Sequence, residues 1–334
     1  MEEKPLVLMT HDLPPDWVEN SLNDFRLIFG DNDQRGIDNK LEEYIPEASG
    51  IFCLLDDPIP ATIINQAPLL KVISNMAVGT DNIDVKTCTT RGIPVGHTPG
   101  VLTDGTADLT LALLLSVSRQ LAEANQDARA GKWSSWEPTG WLGRDLKDAT
   151  VGIIGLGKIG SAVAKRLKPF GCKLIFTNRS PLPGQEINLN ARQVVLDELL
   201  STSDFICLHV PLTQETNGMI GKEAFAKMKT SAILINAARG PVVDTDALYE
   251  ALISNRILAA GLDVTDPEPL PPDHPLYQLP NCFITPHIGS ATVNTRKVMA
   301  GIAIRNLKAG IQGKPLPYCV NPEVYKPSRS EISN

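Results

Sequence analysis

Arg239, Glu268 and His287 are the residues of this chain best suited to chemistry, and each follows an apolar run. Arg239 closes Ile233-Leu-Ile-Asn-Ala-Ala-Arg-Gly240, Glu268 lies in the proline-rich Asp263-Val-Thr-Asp-Pro-Glu-Pro269, and His287 follows Ile284-Thr-Pro286. Singly they are an ion-pair partner, a loop acid and a hydrogen-bonded histidine. Joined at the carboxyl edge of a parallel sheet, where open α/β sheets bind ligands, they suit reduction of a carbonyl. A 2-oxoacid carries a carboxylate beside a ketone, and a planar guanidinium fork holds both oxygens and polarises the carbonyl. The alkoxide left by hydride addition takes a proton from an imidazolium near neutral pH. A carboxylate beside that imidazole favours its charged form and fixes which nitrogen faces the substrate. Of the other histidines, His11 and His274 sit in loops and His97 ends a strand. His209 precedes Val210-Pro211 and reads as part of a cofactor wall, because no Glu or Arg partner lies near it in sequence.

A hydride needs a donor, and Val151-Gly-Ile-Ile-Gly155-Leu156-Gly157-Lys158-Ile159-Gly160 carries the dinucleotide pattern GxGxxG. With 25 glycines in 334 positions the bare pattern arises by chance about 0.1 times per chain, so its context carries the argument. An apolar strand precedes it, the helical run Ser161 to Phe170 follows, and a second strand comes after Gly171. Gly155 permits the tight turn, Gly157 lets backbone approach a pyrophosphate, and Gly160 allows close helix–strand packing. The phosphates would sit on the positive end of that helix. The second strand ends Asn178-Arg179-Ser180, where an NAD-specific site places an acid for the ribose 2′-hydroxyl. Asn178 brings no repulsive charge, and Arg179 and Ser180 offer bonds to a 2′-phosphate, which favours NADPH over NADH.

These residues need a framework, and short β-branched runs alternating with helical patterns supply one: βαβ units and parallel sheets. The expected strands are Pro5–Thr10, Phe25–Phe29, Gly50–Leu55, Lys71–Ala77 and Pro94–His97. Six more follow at Thr150–Gly155, Lys173–Asn178, Phe205–Val210, Ala232–Ala238, Leu258–Val264 and Cys282–Thr285. A long helix is expected from about Thr103 to Gly131, with Asp104 as N-cap, and a last one from Val293 to Gly310 before a polar tail. Between them Trp133, Trp136 and Trp141 cluster in a Gly/Pro-containing stretch, either packed on their own domain or making a subunit contact.

The length suggests about two domains. The 31 Lys+Arg against 38 Asp+Glu give a net charge of −7, which offers no general field to attract nucleic acid or an anionic membrane. Apolar residues at 43% and charged residues at 21% are globular values. The six cysteines are scattered, with no metal-ligand spacing, so neither disulfides nor a metal site is expected. The acidic opening lacks the basic region of a signal peptide, and the most apolar stretch, Leu109 to Val117, is too short for a membrane span. A cytoplasmic location is expected.

The ordered motifs resemble the D-2-hydroxyacid dehydrogenases, and within them the glyoxylate/hydroxypyruvate reductases. The matching stretches are Met76-Ala-Val-Gly-Thr-Asp-Asn-Ile-Asp84, His97 to Asp108, the glycine fingerprint, His209-Val-Pro-Leu-Thr213, Asn236 to Gly240, Gly261 to Val264 and Pro286 to Gly289. The resemblance implies two doubly wound parallel-sheet domains with an active-site cleft between them. One is a flavodoxin-like substrate-binding domain from residues 1–101 and 290–334; the other is a Rossmann cofactor domain at 102–289. It implies Arg239 as the substrate-binding residue, His287 as the acid/base and Glu268 as its partner, with Val78 and Gly79 N–H groups and the apolar Leu55 around a small 2-oxoacid. Thr106, Asp263 and Ala237 match positions at the nicotinamide. Leu156, Lys158, Ile159, His209, Val210, Pro211, Thr216, Ala238 and Gly289 complete the cofactor surface. Relatives dimerise through the cofactor domain, and the loop matching Trp141 reaches the neighbour's site. Phosphite dehydrogenases carry a lysine where Val78 stands, and Thr80 replaces an aromatic or aliphatic residue of many relatives. The resemblance leaves three roles: NADPH-dependent reduction of glyoxylate and hydroxypyruvate (NAD being a possible second cofactor), a broader D-lactate-type dehydrogenase, and a non-catalytic NAD(P)-sensing co-repressor.

Overall fold

The computed structural model describes residues 4–180 and 189–326. It divides into one unit of Met1–Leu102 with Thr292–Asn334 and another of Thr103–Ala291. Each holds a parallel sheet between helices. Residues 327–334 of the polar tail expected after Gly310 lie outside the described residues, as does the opening tripeptide.

The first unit is built on β1 (Leu6–Met9), β2 (Arg26–Phe29), β3 (Ala48–Cys53), β4 (Val72–Asn75) and β5 (Val95–Gly96), in the order β2-β1-β3-β4-β5. Alternation sends Leu8, Ile51, Ile73 and Val95 to one apolar cluster and Val7, Met9, Phe52 and Val72 to the other. Both faces are therefore covered, as continuous apolar runs require. The helix Val293–Ile311 covers the second face. It approaches so closely at Gly310 that a Cβ there would lie 2.4 Å from Val72 Cβ. The segment after this helix clips to β5 through the buried Asn321, whose Oδ1 accepts the Val95 N–H at 2.8 Å.

The second unit carries β6 (Thr150–Ile154), β7 (Lys173–Thr177), β8 (Ala191–Gln193), β9 (Phe205–Leu208), β10 (Ile233–Asn236), β11 (Ala259–Leu262) and β12 (Cys282–Ile284). Their order, β12-β11-β10-β9-β6-β7-β8, reverses direction at β6, which is where a doubly wound sheet opens its ligand crevice. The sheet has one strand more than the six expected. Ala191-Arg-Gln193 is short and polar and pairs at the sheet edge with β7, so it carries no apolar run to reveal it.

Two expectations about the long helix are corrected. It breaks into Thr103–Ser118 and Leu121–Arg129, with Gln120 left-handed at φ 51°. The Ser118 carbonyl accepts the Arg144 N–H at 2.8 Å, so a distant loop takes the acceptor that the next helical turn would use. Asp104 is no N-cap. It lies inside the first turn, and it and Asp108, one turn further on, bond Arg166 of the helix Lys158–Leu167 at 2.8 and 2.6 Å. Among the described residues no helix is long and apolar enough to cross a membrane.

Candidate active site

The glycine loop after β6 separates the three glycines by what a side chain would meet. Gly155 has φ +97°, and a Cβ on it would stand 2.6 Å from the His209 carbonyl oxygen. A Cβ on Gly160 would stand 2.2 Å from the Gly155 carbonyl oxygen, so only glycine lets the helix seat on the strand end. Gly157, which precedes helix Lys158–Leu167, has open space instead. Lys158 and Ile159 form the first helical turn, where N–H groups and the helix dipole favour a phosphate. This cradle fits the pyrophosphate of a dinucleotide.

Asn178, one residue past β7, accepts the Leu156 N–H on Oδ1 at 2.6 Å, so its side chain also braces the glycine loop. Arg179 and Ser180 are exposed beside it. Thr213 Oγ1 donates to Glu215 at 2.7 Å, and this bond together with the nearby Arg179 holds the Glu215 carboxyl below its ordinary range. Thr216 staples the same turn, accepting the Thr213 N–H at 2.8 Å and donating to the Pro211 carbonyl at 2.7 Å. Val210 and Pro211 thus follow β9 in a tied loop. His209 lies at the head of it, both ring nitrogens sealed from solvent and without a hydrogen-bond partner among the described residues. Burial pushes its imidazole down to about 4.

Three neighbouring strand ends hold the candidate acid–base group. Asn236, the last residue of β10 and 1% exposed, accepts the Ala238 N–H at 3.1 Å and donates to the Arg239 carbonyl at 2.9 Å. That clamp shapes the Ala237–Arg239 turn, and Arg239 Nη1 donates back to the Ala238 carbonyl at 2.8 Å. The next residue, Gly240, packs on the Thr265 carbonyl and brings the Arg239 turn against the loop of Glu268.

Asp263 follows β11 and is 2% exposed. Its Oδ1 accepts the Ile288 N–H at 2.8 Å and the Thr285 hydroxyl at 2.7 Å, while Oδ2 accepts the Gly289 N–H at 2.8 Å. Burial raises its carboxyl above the ordinary value, against those three bonds and the nearby His287. Thr106 reaches the same loop, its hydroxyl donating to the Gly289 carbonyl at 3.3 Å. Within this grip His287 takes a left-handed φ of 51° and sets Nδ1 2.5 Å from Glu268 Oε1. Burial acts to raise the Glu268 carboxyl, but the bond and charge of His287, the Thr265 N–H and Arg239 outweigh it, and the group is held below its ordinary range.

In the first unit, Val78 and Gly79 follow β4, with Val78 36% exposed and Leu55 half-buried. Among the described residues neither the Val78 nor the Gly79 N–H donates a hydrogen bond. Trp141, in the second unit, is not brought to Arg239 or His287. It borders a hollow of about 570 Å³ lined also by Val117, Leu142, Leu258 and Phe283. Trp133 and Trp136 are 76% and 83% exposed, so they do not pack on their own unit. Asn236 and Asn75, two buried asparagines that each end a strand, were given no role at the site by their place in the sequence. An asparagine closing an apolar strand was the available signal.

The profile of the D-isomer specific 2-hydroxyacid dehydrogenase NAD-binding domain matches residues 111–289. The chain is also 48% identical over 289 residues to a glyoxylate reductase/hydroxypyruvate reductase of Homo sapiens, covering 86% of this chain and 88% of that one. It belongs to the D-2-hydroxyacid dehydrogenases. This dehydrogenase is thus an NAD(P)-binding oxidoreductase. Its fold is that of the NADPH-dependent glyoxylate/hydroxypyruvate reductase of Sinorhizobium meliloti, solved with NADP and malonate, at TM-score 0.86 and 31% identity over 98% of this chain and 99% of that one. A D-lactate dehydrogenase of Aquifex aeolicus, solved with NAD and lactic acid, matches at TM-score 0.85 and 30% identity over 96% of this chain and 100% of that one.

Proposed function

We propose that this dehydrogenase reduces glyoxylate to glycolate and hydroxypyruvate to D-glycerate, with NADPH preferred over NADH and His287 delivering the proton. The carrying observation is the 2.5 Å contact of His287 Nδ1 with Glu268 Oε1. A carboxylate oxygen only accepts, so Nδ1 holds its proton toward Glu268 and Nε2 is the atom that gives a proton to substrate. The depressed Glu268 carboxyl keeps that partner anionic. A nicotinamide held on this surface would supply the hydride for the carbonyl carbon. Arg239 then meets the carbonyl oxygen and one carboxylate oxygen, stabilising the charge that builds as the carbonyl is reduced.

In the first unit the free N–H groups of Val78 and Gly79 form a carboxylate receptor, with Leu55 as its apolar neighbour. In the second, Thr106, Ala237, Ala238, Asp263 and Gly289 border the nicotinamide, and Gly155 to Gly160 with His209, Val210, Pro211 and Thr216 border the rest. At the ribose Asn178, Arg179 and Ser180 offer a cation and two hydrogen-bonding groups and no carboxylate, which supports NADPH. The exposed Trp133 and Trp136 support a homodimer, with Trp141 acting in the partner's site. The names of the human and Sinorhizobium relatives support the substrates.

Replacing Arg179 tests the cofactor assignment. Arg179→Ala is expected to lower kcat/KM for NADPH about tenfold or more, the worth of a charge-assisted contact, and to leave NADH within about threefold. Equal losses with both cofactors contradict it. Comparing kcat/KM on glyoxylate, hydroxypyruvate and pyruvate separates this reading from a broader D-lactate-type enzyme.

A further inference from the structure

We propose that Asn82 and His97 are positioning residues for carboxylate recognition, fixing the Val78–Gly79–Thr80 backbone on which the proposed function rests. A trans peptide points its C=O and N–H in opposite directions, so holding one aims the other. The Val78 carbonyl accepts from His97 Nδ1 at 3.0 Å, which turns the Gly79 N–H away from the ring. A carbonyl has no proton to give, so the His97 tautomer is the one protonated on Nδ1. The Gly79 carbonyl accepts from Asn75 Nδ2 at 3.0 Å, which aims the Thr80 N–H in the same way.

Asn82 joins this backbone, through Asn75, to the other loop of the first unit's sheet edge. Its Oδ1 accepts from Asn75 Nδ2 at 3.0 Å, and its Nδ2 donates to the Leu54 and Asp57 carbonyls, each at 2.9 Å. Both donors and the acceptor of one amide are therefore spent on loops rather than on a helix or strand ladder. The far end is itself anchored: Asp57 is fully buried, and its carboxylate accepts the Gly36 and Leu54 N–H groups, each at 2.7 Å, and the Thr10 hydroxyl at 2.5 Å. The result is a continuous hydrogen-bonded path from a buried carboxylate to the Gly79 carbonyl, next in the chain to the Val78 and Gly79 N–H groups that have no partner among the described residues. A frame of this kind, with its donors unspent, is organised for an anion, and one amide at its centre sets the spacing of the two loops.

The test measures steady-state kinetics with glyoxylate and NADPH and the calorimetric affinity for oxalate, a planar, non-reducible relative of a 2-oxoacid. The proteins compared are the unaltered one, Asn82→Ala, His97→Ala and His97→Asn. Misaimed donors are expected to raise KM for glyoxylate and Kd for oxalate about tenfold or more in Asn82→Ala and His97→Ala, with KM for NADPH within about twofold. His97→Asn keeps an amide N–H near the position of Nδ1 and is expected to restore most of the loss. Unchanged KM and Kd in the alanine variants overturn the proposal, as does His97→Asn behaving like His97→Ala. If the unaltered protein binds oxalate but turns over no 2-oxoacid, the functional reading fails while the oxalate affinities still decide this one. Absence of oxalate binding by the unaltered protein overturns both.

Discussion

Gly240 lies so close to Thr265 that a Cβ on the glycine would stand 1.8 Å from the Thr265 carbonyl oxygen. This contact ties the turn of Arg239 to the loop of Glu268, and backbone on backbone leaves no flexible side chain to yield. Gly240→Ala must therefore part the two loops. The expected cost is about 2–3 kcal/mol by urea unfolding, with kcat/KM for a 2-oxoacid reduced about a hundredfold as Arg239 and Glu268 separate. Stability and activity close to those of the unaltered protein would show that the contact does not set the site.

The Asp263 carboxylate takes three donors: the N–H groups of Ile288 and Gly289 and the hydroxyl of Thr285. An amide there has one oxygen, so Asp263→Asn leaves one backbone N–H facing another donor. The expected loss is about 1–3 kcal/mol of stability. A kcat lower by about ten- to a hundredfold is expected too, because the loop it releases carries His287 in its left-handed conformation. A variant with undiminished kcat would separate the clamp from catalysis.

His209 predicts a pH dependence of folding. Its imidazole is pushed from 6.5 down to about 4 by burial, so the folded state keeps it neutral where the unfolded chain has already taken up a proton. Between pH 6.5 and about 4 the unfolded state binds more protons, and stability falls as the pH is lowered through that window. The contribution reaches at most about 3 kcal/mol at its acid end. His209→Phe is expected to flatten the dependence of the urea midpoint on pH over that window. Parallel curves for the two proteins would contradict the neutral, sealed ring.

Much of this arrangement is legible in residue order, and what escapes has a physical reason. Glycine types declare themselves because Gly155 and Gly160 occupy places where a Cβ cannot exist, whatever the rest of the fold. Strand ends that carry Arg239 and His287 stand out because buried parallel strands are continuous apolar runs. The helix break at Gln120 does not, since Leu109 to Val117 keep their period and the interruption comes from Arg144, remote in sequence. β8 escapes because Ala191-Arg-Gln193 is polar and three residues long. The clamps formed by Asn236, Asp263 and Asn82 escape because each works through carbonyls and N–H groups brought up by folding, which side-chain spacing does not encode.

Initial rates of NADPH and NADH oxidation with glyoxylate and with hydroxypyruvate, for the unaltered protein and for His287→Asn, decide whether His287 is the proton donor of a 2-oxoacid reductase. Turnover of both acids is expected, faster with NADPH, with a loss of at least about a hundredfold in kcat when His287 is replaced. Absence of turnover on either acid, or a His287→Asn enzyme as fast as the unaltered one, would contradict that role.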